Sequence, residues 1–228
     1  MRERFAAALT HDMRTPLGVA VSALELSLRT LDADRARAMT TKALEHLQRV
    51  DLMICELLHS MAFAGGRTMQ LAHSCFDVQE LLTEVQADAM AVHGSRLKVE
   101  GPSVRGWWGR PELKRAIENM VGNAFKYGDP QGPVKLVVNE AYGRLLLSVH
   151  NEGGSIPVEE QAGIFQMYRR AGNAARERVP GWGIGLPYLR SVTESHGGSV
   201  GVDSSPERGT TFCIDIPIDA RPGSVAAA

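Results

Sequence analysis

The sequence predicts an α+β protein in two parts. An N-terminal helical hairpin pairs into a dimeric four-helix bundle, and an α/β sandwich follows, with its helices on one face of the sheet. Three observations carry this expectation. Of 23 glycines only Gly18 precedes residue 65, and of 11 prolines only Pro16 does, so the first stretch is nearly free of helix breakers. Within it, Ala36, Thr40, Ala43, Leu47, Val50, Ile54, Leu57 and Met61 recur at spacings of four and three, a heptad seam. Beyond Gly65-Gly66, glycine, proline and all three tryptophans punctuate short apolar runs, as in a domain that mixes strands and helices.

The hairpin is expected over residues 1–66. Its first helix carries Leu9, Met13, Leu17, Val21, Leu24, Leu28 and Leu31, and Leu31-Asp-Ala-Asp34 makes the turn. Two such helices expose an apolar seam too wide for one hairpin to cover, and a twofold homodimer is the simplest remedy. Residues 67–220 form the second domain. Asp77 caps a helix running to Val92, with Leu81, Leu82, Val85 and Ala89 at helical spacing. Pro111 opens a second helix, which reaches Tyr127. Val134–Asn139 and Arg144–His150 read as strands joined by a turn at Ala141-Tyr-Gly143. Leu186–His196 is a helix stopped by Gly197-Gly198. Ser199–Ser205 and Thr210–Ile216 form a hairpin across Pro206-Glu-Arg-Gly209, and residues 221–228 read as a frayed tail.

Composition excludes several classes. Lysine and arginine total 25 against 26 acidic residues, a net charge of −1, so no basic surface points to nucleic acid. No apolar run approaches the roughly 18 residues of a membrane span. Met1-Arg-Glu-Arg-Phe lacks the apolar core of a signal peptide. Cys55, Cys75 and Cys213 are odd in number and lack metal-ligand spacing. The expectation is a reduced, cytoplasmic chain without membrane contact of its own, any membrane tether belonging to an upstream region.

Four places could carry chemistry. His11 lies about 200° around the helix from Leu9 and so faces away from the seam, beside Asp12 and four residues before Thr15-Pro16. It reads either as a surface histidine next to a kink or as a nucleophile polarised by the neighbouring carboxylate. On the helix to Tyr127, Ile117, Met120, Val121 and Ala124 form a buried stripe, and Arg115, Asn119, Asn123 and Lys126 line the other side. Asparagine is a poor helix former, so that row is either a solvated face or a set of amide oxygens for magnesium beside a phosphate-binding lysine. The third place is His150-Asn-Glu-Gly-Gly-Ser-Ile-Pro157, which leaves a strand abruptly and lets backbone approach a flat ligand. Gly181-Trp-Gly-Ile-Gly-Leu186 opens a helix, an anion site in principle, but its GxGxG spacing is neither a dinucleotide fingerprint nor a Walker loop.

In this order the four resemble the sensor histidine kinases of bacterial two-component systems. His11-Asp12-Met-Arg-Thr15-Pro16-Leu17 is similar to the family's H box, and Asn119-Met-Val-Gly-Asn123-Ala-Phe-Lys126-Tyr127 to its N box. Asn151-Glu-Gly153-Gly-Ser155-Ile-Pro157 sits where the first glycine box belongs, and Ile164-Phe165-Gln-Met-Tyr168-Arg-Arg170 where the F box does. Gly181-Trp-Gly183-Ile-Gly185-Leu186 resembles the second glycine box, continued by His196-Gly-Gly198 and Gly209-Thr210-Thr-Phe212.

The resemblance implies a phosphoacceptor hairpin followed by a Bergerat-type ATP-binding domain. Asn123 would hold Mg2+ with help from Asn119, and Lys126 and Tyr127 would line the triphosphate of ATP. Asn151, Gly153, Ser155, Tyr168, Arg170, Gly181, Gly183, Gly185, Leu186 and Thr210 would complete the nucleotide site, with residues 171–180 as its lid. Asp12 would take a proton from one ring nitrogen of His11 so that the other attacks the γ-phosphate. The phosphoryl group would pass to an aspartate of a response regulator receiver domain, and Thr15 would help dephosphorylate that partner. Three positions depart from the usual pattern: Asp12 replaces glutamate, Asn151 an aspartate that accepts from the adenine amine, and Ser155 a glycine. The altered first glycine box supports one rival reading, a degenerate kinase acting as a non-catalytic dimeric partner. A gyrase-type ATPase is disfavoured, because Asn119 stands where such enzymes place a carboxylate base.

Overall fold

The computed structural model describes residues 2–63, 69–166 and 185–223, with hairpin side chains described for residues 13–48, 50 and 54. The chain divides into two compact units, Met1–Arg67 and Thr68–Ala228.

The first unit is a hairpin of α1 (Arg2–Arg29, with Pro16 inside it) and α2 (Ala33–Phe63). Asp32 starts α2: its carboxylate accepts from the amides of Asp34 and Arg35 at 3.0 and 3.1 Å. Among the described side chains, the contact between the helices is made by small ones. Pro16, Ala20, Ala23 and Ala43 are buried. Ser27 Oγ donates to Ala36 O at 3.2 Å and lies 3.1 Å from Thr40 Oγ1. Among the described residues the leucine seam does not close within the hairpin. Leu17, Val21, Leu24 and Leu28 are exposed along α1, as are Leu44, Leu47 and Ile54 on α2.

The second unit is a five-stranded sheet in the order β2-β4-β5-β7-β6, with a separate antiparallel pair β1–β3. Its elements run β1 (His73–Asp77), α3 (Val78–His93), β2 (Leu97–Glu100), β3 (Arg105–Gly109), α4 (Arg110–Tyr127), β4 (Val134–Ala141) and β5 (Arg144–Asn151). A short α5 (Val158–Gln161), then α6 (Gly185–Ser195), β6 (Ser199–Ser205) and β7 (Gly209–Pro217) complete it. All pairs in the main sheet are antiparallel except β2–β4.

Local chemistry explains the boundaries. Asp77 caps α3 by accepting from Gln79 N at 2.9 Å. Pro111 sits in the first turn of α4, where its missing N–H costs nothing. Tyr142 and Gly143, both at positive φ (51° and 69°), form the two-residue turn between β4 and β5. Gly197, at φ 72°, ends α6.

One face of the sheet is dry. Leu145, Leu147 and Val149 of β5 alternate inward with Leu136 and Val138 of β4 and Phe212, Ile214 and Ile216 of β7. Against them pack Leu113, Ile117, Met120, Val121 and Ala124 of α4 and Leu189 and Val192 of α6. Removing one of these side chains, as in Leu147→Ala, costs about 2–5 kcal/mol. The alternate residues of β5, Arg144, Leu146, Ser148 and His150, face the open side. The helices therefore lie on one face, as expected.

Sequence reasoning did not find β1, β2, β3 or α5. Arg221, where fraying was expected to begin, is held to Asp219 at 2.6 Å and lies over the Trp107 ring at 4.2 Å. Residues 224–228 lie outside the described residues.

Candidate functional site

The row of polar residues on α4 lies on the face opposite its buried stripe. Ile117, Met120, Val121 and Ala124 are buried; Asn119, Asn123 and Tyr127 are half-buried and Lys126 is exposed. Among the described residues no hydrogen bond takes up the amide oxygen of Asn119 or Asn123. Lys126 Nζ lies 4.9 Å from the Tyr127 ring centroid.

Glycines let two other segments approach this row, one at each end. At the Asn119 end, a Cβ placed on Gly185, the first residue of α6, would come 2.9 Å from Asn119 Oδ1. At the Tyr127 end stands the turn that leaves β5. A Cβ on Gly154 would lie 3.0 Å from Tyr127 O, and one on Gly128 would lie 2.9 Å from both Asn151 Cβ and Nδ2. Gly128 and Gly153 pair as an isolated bridge, and Asp129 N donates to Glu152 O at 2.8 Å. Gly153, at φ 104°, is a position where glycine is required, since an added Cβ would also strike Asp129 N at 2.6 Å. Gly128 lies nine residue steps along the helix from Asn119, about 13 Å.

Asn151 closes β5, only 3% exposed. Its Nδ2 donates to Glu152 O at 3.1 Å, which leaves Oδ1 as the acceptor of that amide. The turn beyond it is fixed by a directed chain of hydrogen bonds: Ile156 N donates to Ser204 Oγ (2.9 Å), Ser204 Oγ to Thr210 Oγ1 (2.7 Å), and Thr210 Oγ1 to Gly154 O (3.1 Å). The last donor leaves Thr210 Oγ1 only its accepting role toward Ser204, which sets the direction of the whole chain. Gln161 Nε2 adds bonds to Ile156 O and Ser204 O, each 2.9 Å. Ser155 is half-buried inside this frame. Gly209 makes it possible, because a Cβ there would lie 2.2 Å from Asn151 O.

Asn119, Asn123, Lys126, Tyr127, Asn151, Gly153, Ser155, Gly185 and Thr210 thus gather on the polar side of α4 and its two glycine-lined ends. Leu186 follows Gly185 in α6 and is half-buried. Tyr168, Arg170, Gly181, Gly183 and the expected lid at 171–180 lie outside the described residues. His11 and Asp12 belong to α1, but their side chains also lie outside the described ones; Thr15, one turn beyond His11, is exposed. Ser204 and Gln161 were missed. A buried serine in a strand facing a glycine turn was the available signal for the first, and nothing local marks the second.

Two histidines with lowered pKa lie around this site rather than in it. His93 stacks on Phe125 at 4.0 Å, and burial followed by the neighbouring Arg96 lowers its pKa. His196 is buried and its pKa is likewise lowered, mainly by desolvation. Among the described residues no group of His, Cys, Asp and Glu could hold a metal, so a cation here would depend on neutral oxygen donors. Amide oxygens that take no hydrogen bond among the described residues, one of them with glycine in place of a bulkier residue beside it at Gly185, fit an oxygen-seeking ion that shares phosphate ligands.

Comparison with known proteins agrees with both units. Residues 1–60 match the family model described as the His Kinase A (phospho-acceptor) domain, and residues 109–220 match the histidine kinase-, DNA gyrase B- and HSP90-like ATPase model. The sensor protein IrlS of Burkholderia pseudomallei is 27% identical over 95% of this chain and 47% of its own length. The sensor histidine kinase AruS of Pseudomonas aeruginosa is 31% identical over 95% of this chain and 23% of its own. The chain thus spans about half the length of the first of these relatives and a quarter of the second. The solved structure of full-length ShkA in complex with AMPPNP shares the fold, with a TM-score of 0.71 at 22% identity over 100% of this chain and 47% of that one. No helix among the described residues is long and apolar enough to cross a membrane. Matched by a phospho-acceptor model over its hairpin and by an ATPase model over its sheet, the chain belongs to the two-component sensor histidine kinases.

Proposed function

We propose that this chain is a kinase core in which the sheet unit, residues 67–220, binds MgATP and delivers its γ-phosphoryl group to His11 of the hairpin, residues 1–66. The observation that carries the reading is the row on α4, flanked by Gly185 at Asn119 and by the Asn151 turn at Tyr127, a span suited to a nucleoside triphosphate. Asn151 Oδ1 accepts from the base amine at the glycine-turn end. Lys126 and Tyr127 meet the phosphate chain, and Gly185 and Leu186 open α6 where its amides favour negative charge. Tyr168, Arg170, Gly181 and Gly183 belong to the same site by their places in the motifs. Asn123, assisted by Asn119, would hold a magnesium ion, which neutralises charge on the phosphate oxygens.

The chain's own residues do the rest. Asp12 accepts the proton from one ring nitrogen of His11, and the other nitrogen forms the N–P bond as the bond from the γ-phosphorus to the bridging oxygen breaks and ADP leaves. The phosphohistidine then passes its phosphoryl group to an aspartate of a response regulator, with Thr15 placed to assist later hydrolysis of that partner. The exposed leucines of α1 and α2 support a homodimer, two hairpins closing one four-helix bundle.

Incubation with γ-labelled ATP and magnesium tests the reading. Label should enter the protein in an acid-labile, base-stable form, and His11→Ala should abolish it; persistent labelling of His11→Ala would overturn the mechanism.

A further inference from the structure

We propose that Arg96, which belongs to none of the family motifs found in this sequence, is a positioning residue for the base-binding end of the nucleotide site. This rests on the reading of Asn151 Oδ1 as the acceptor of the adenine amine. Arg96 lies in the short turn between α3 and β2, and its guanidinium reaches the loop that follows α4. Nε donates to Gly132 O at 3.0 Å, and Nη2 donates to Asp129 O at 2.7 Å and to Gly132 O at 2.9 Å. Its Cζ lies 5.1 Å from the ring centroid of Phe125, at the end of α4. The planar fork therefore gathers two carbonyls of one loop while packing against the helix that leads into it.

That loop has a second job. Asp129 takes Arg96 on its carbonyl and donates its own amide to Glu152 O at 2.8 Å, so one residue links the guanidinium to the glycine turn. Glu152 O is the carbonyl to which Asn151 Nδ2 also donates, at 3.1 Å. Gly128, one residue earlier, pairs with Gly153 and packs against Asn151 closely enough that a Cβ there would lie 2.9 Å from Nδ2. The loop thus fixes both the place of Asn151 and which way its amide points. Other bonds hold the loop internally: Gly132 N donates to Asp129 O at 3.1 Å, and Gln131 N to Asp129 Oδ1 at 2.8 Å. Among the described residues, Arg96 is the side chain from outside the loop that clamps it from the α3 side. Losing it lets the loop drift and Asn151 Oδ1 lose its aim, while the phosphate end, set by α4 and α6, stays where it is.

The test compares two nucleotides on the whole 228-residue chain by calorimetric titration. ATP carries the exocyclic amine; purine riboside triphosphate lacks it and is otherwise alike. The unaltered protein should prefer ATP by about five- to thirtyfold, the value of one buried hydrogen bond. Arg96→Ala and Arg96→Lys should lose most of that preference through weaker ATP binding, with the amine-free nucleotide changed by less than about threefold. Lysine keeps the charge and the stem but cannot bridge two carbonyls with a fork, so it also serves if the alanine variant does not fold. Equal weakening of both nucleotides, or no change in either, overturns the role of Arg96. No preference in the unaltered protein overturns the Asn151 reading itself.

Discussion

Gly185→Ala separates the stability of the sheet unit from the function of its site. Gly185 is the first residue of α6, and its φ is not in the left-handed region, so alanine fits the backbone. Within a helix, alanine is favoured over glycine by about 0.8–1.0 kcal/mol, and at a first position by part of that. Among the described residues, the three atoms nearest the new methyl all belong to the Asn119 side chain, with Oδ1 at 2.9 Å, Cγ at 3.4 Å and Cβ at 3.8 Å. The methyl meets the movable end of a half-buried side chain, so the helix holds and Asn119 turns away. A rotation of about 30° from a staggered rotamer costs about 0.5–1.5 kcal/mol, so affinity for an ATP analogue with magnesium should fall about two- to tenfold. Differential scanning calorimetry and titration of the same sample decide the matter. The melting temperature should hold or rise while the affinity falls. Unchanged affinity would show that Asn119 takes no part in binding. A melting temperature lowered by several degrees would show that the methyl strains the packing of α6.

Three other perturbations have defined outcomes. Asn151→Ala should weaken ATP binding by about 1–2 kcal/mol, whereas Asn151→Asp should stay within roughly threefold of the unaltered protein in calorimetry, since it gains a charge-assisted bond to the amine but loses the Nδ2 bond to Glu152 O. Leu24→Asp places a charge on the exposed α1 stripe and removes about 1.5–3 kcal/mol of apolar burial per copy from a dimer, so sedimentation equilibrium should show dissociation at least about a hundredfold weaker. His196 Nδ1 lies 2.7 Å from Val192 O, which can only accept, so Nε2 is the bare nitrogen that accepts from Gly109 N at 3.0 Å; the ring is neutral, and burial holds its pKa below 6.5. The unfolded chain then binds the proton at higher pH than the folded one, so thermal stability should be full above that value and decline as pH falls through 6.5 toward the lowered pKa, a slope that His196→Gln should flatten.

Periodicity and turn chemistry carry information only where an element is long enough to repeat. α4 shows this: Ile117, Met120, Val121 and Ala124 mark its buried face over two turns, and all four are buried. The β4–β5 hairpin was equally legible, because its strands alternate for eight residues each around a turn whose Gly143 takes positive φ. β2 has four residues and a parallel partner, too short for alternation to show. β3 reads Arg-Gly-Trp-Trp-Gly, with adjacent tryptophans that look like a single apolar pair. Trp108 is buried and donates from Nε1 to Pro217 O at 2.8 Å, while Trp107 pairs with Arg221. In the site, Asn151 was readable because a strand ends there on a glycine turn. Arg96 was not: its bonds go to backbone carbonyls 33 and 36 residues away, and a carbonyl has no residue type.

The hairpin shows how a correct period can still hide a division of labour. Two stripes run along α1, offset by one residue. Pro16, Ala20, Ala23 and Ser27 face α2, whereas Leu17, Val21, Leu24 and Leu28 remain exposed. Both stripes follow the spacing of four and three, but apolar periodicity marks only the leucine one as the seam. Size separates them physically. Small side chains let two helices approach closely, but they bury little apolar area, and at about 25 cal/mol per Å2 they add little stability. The area that would hold the bundle together therefore lies on the leucine stripe, which the hairpin leaves uncovered. A second copy, placing its own stripe against the first, supplies that cover without adding any element to the fold.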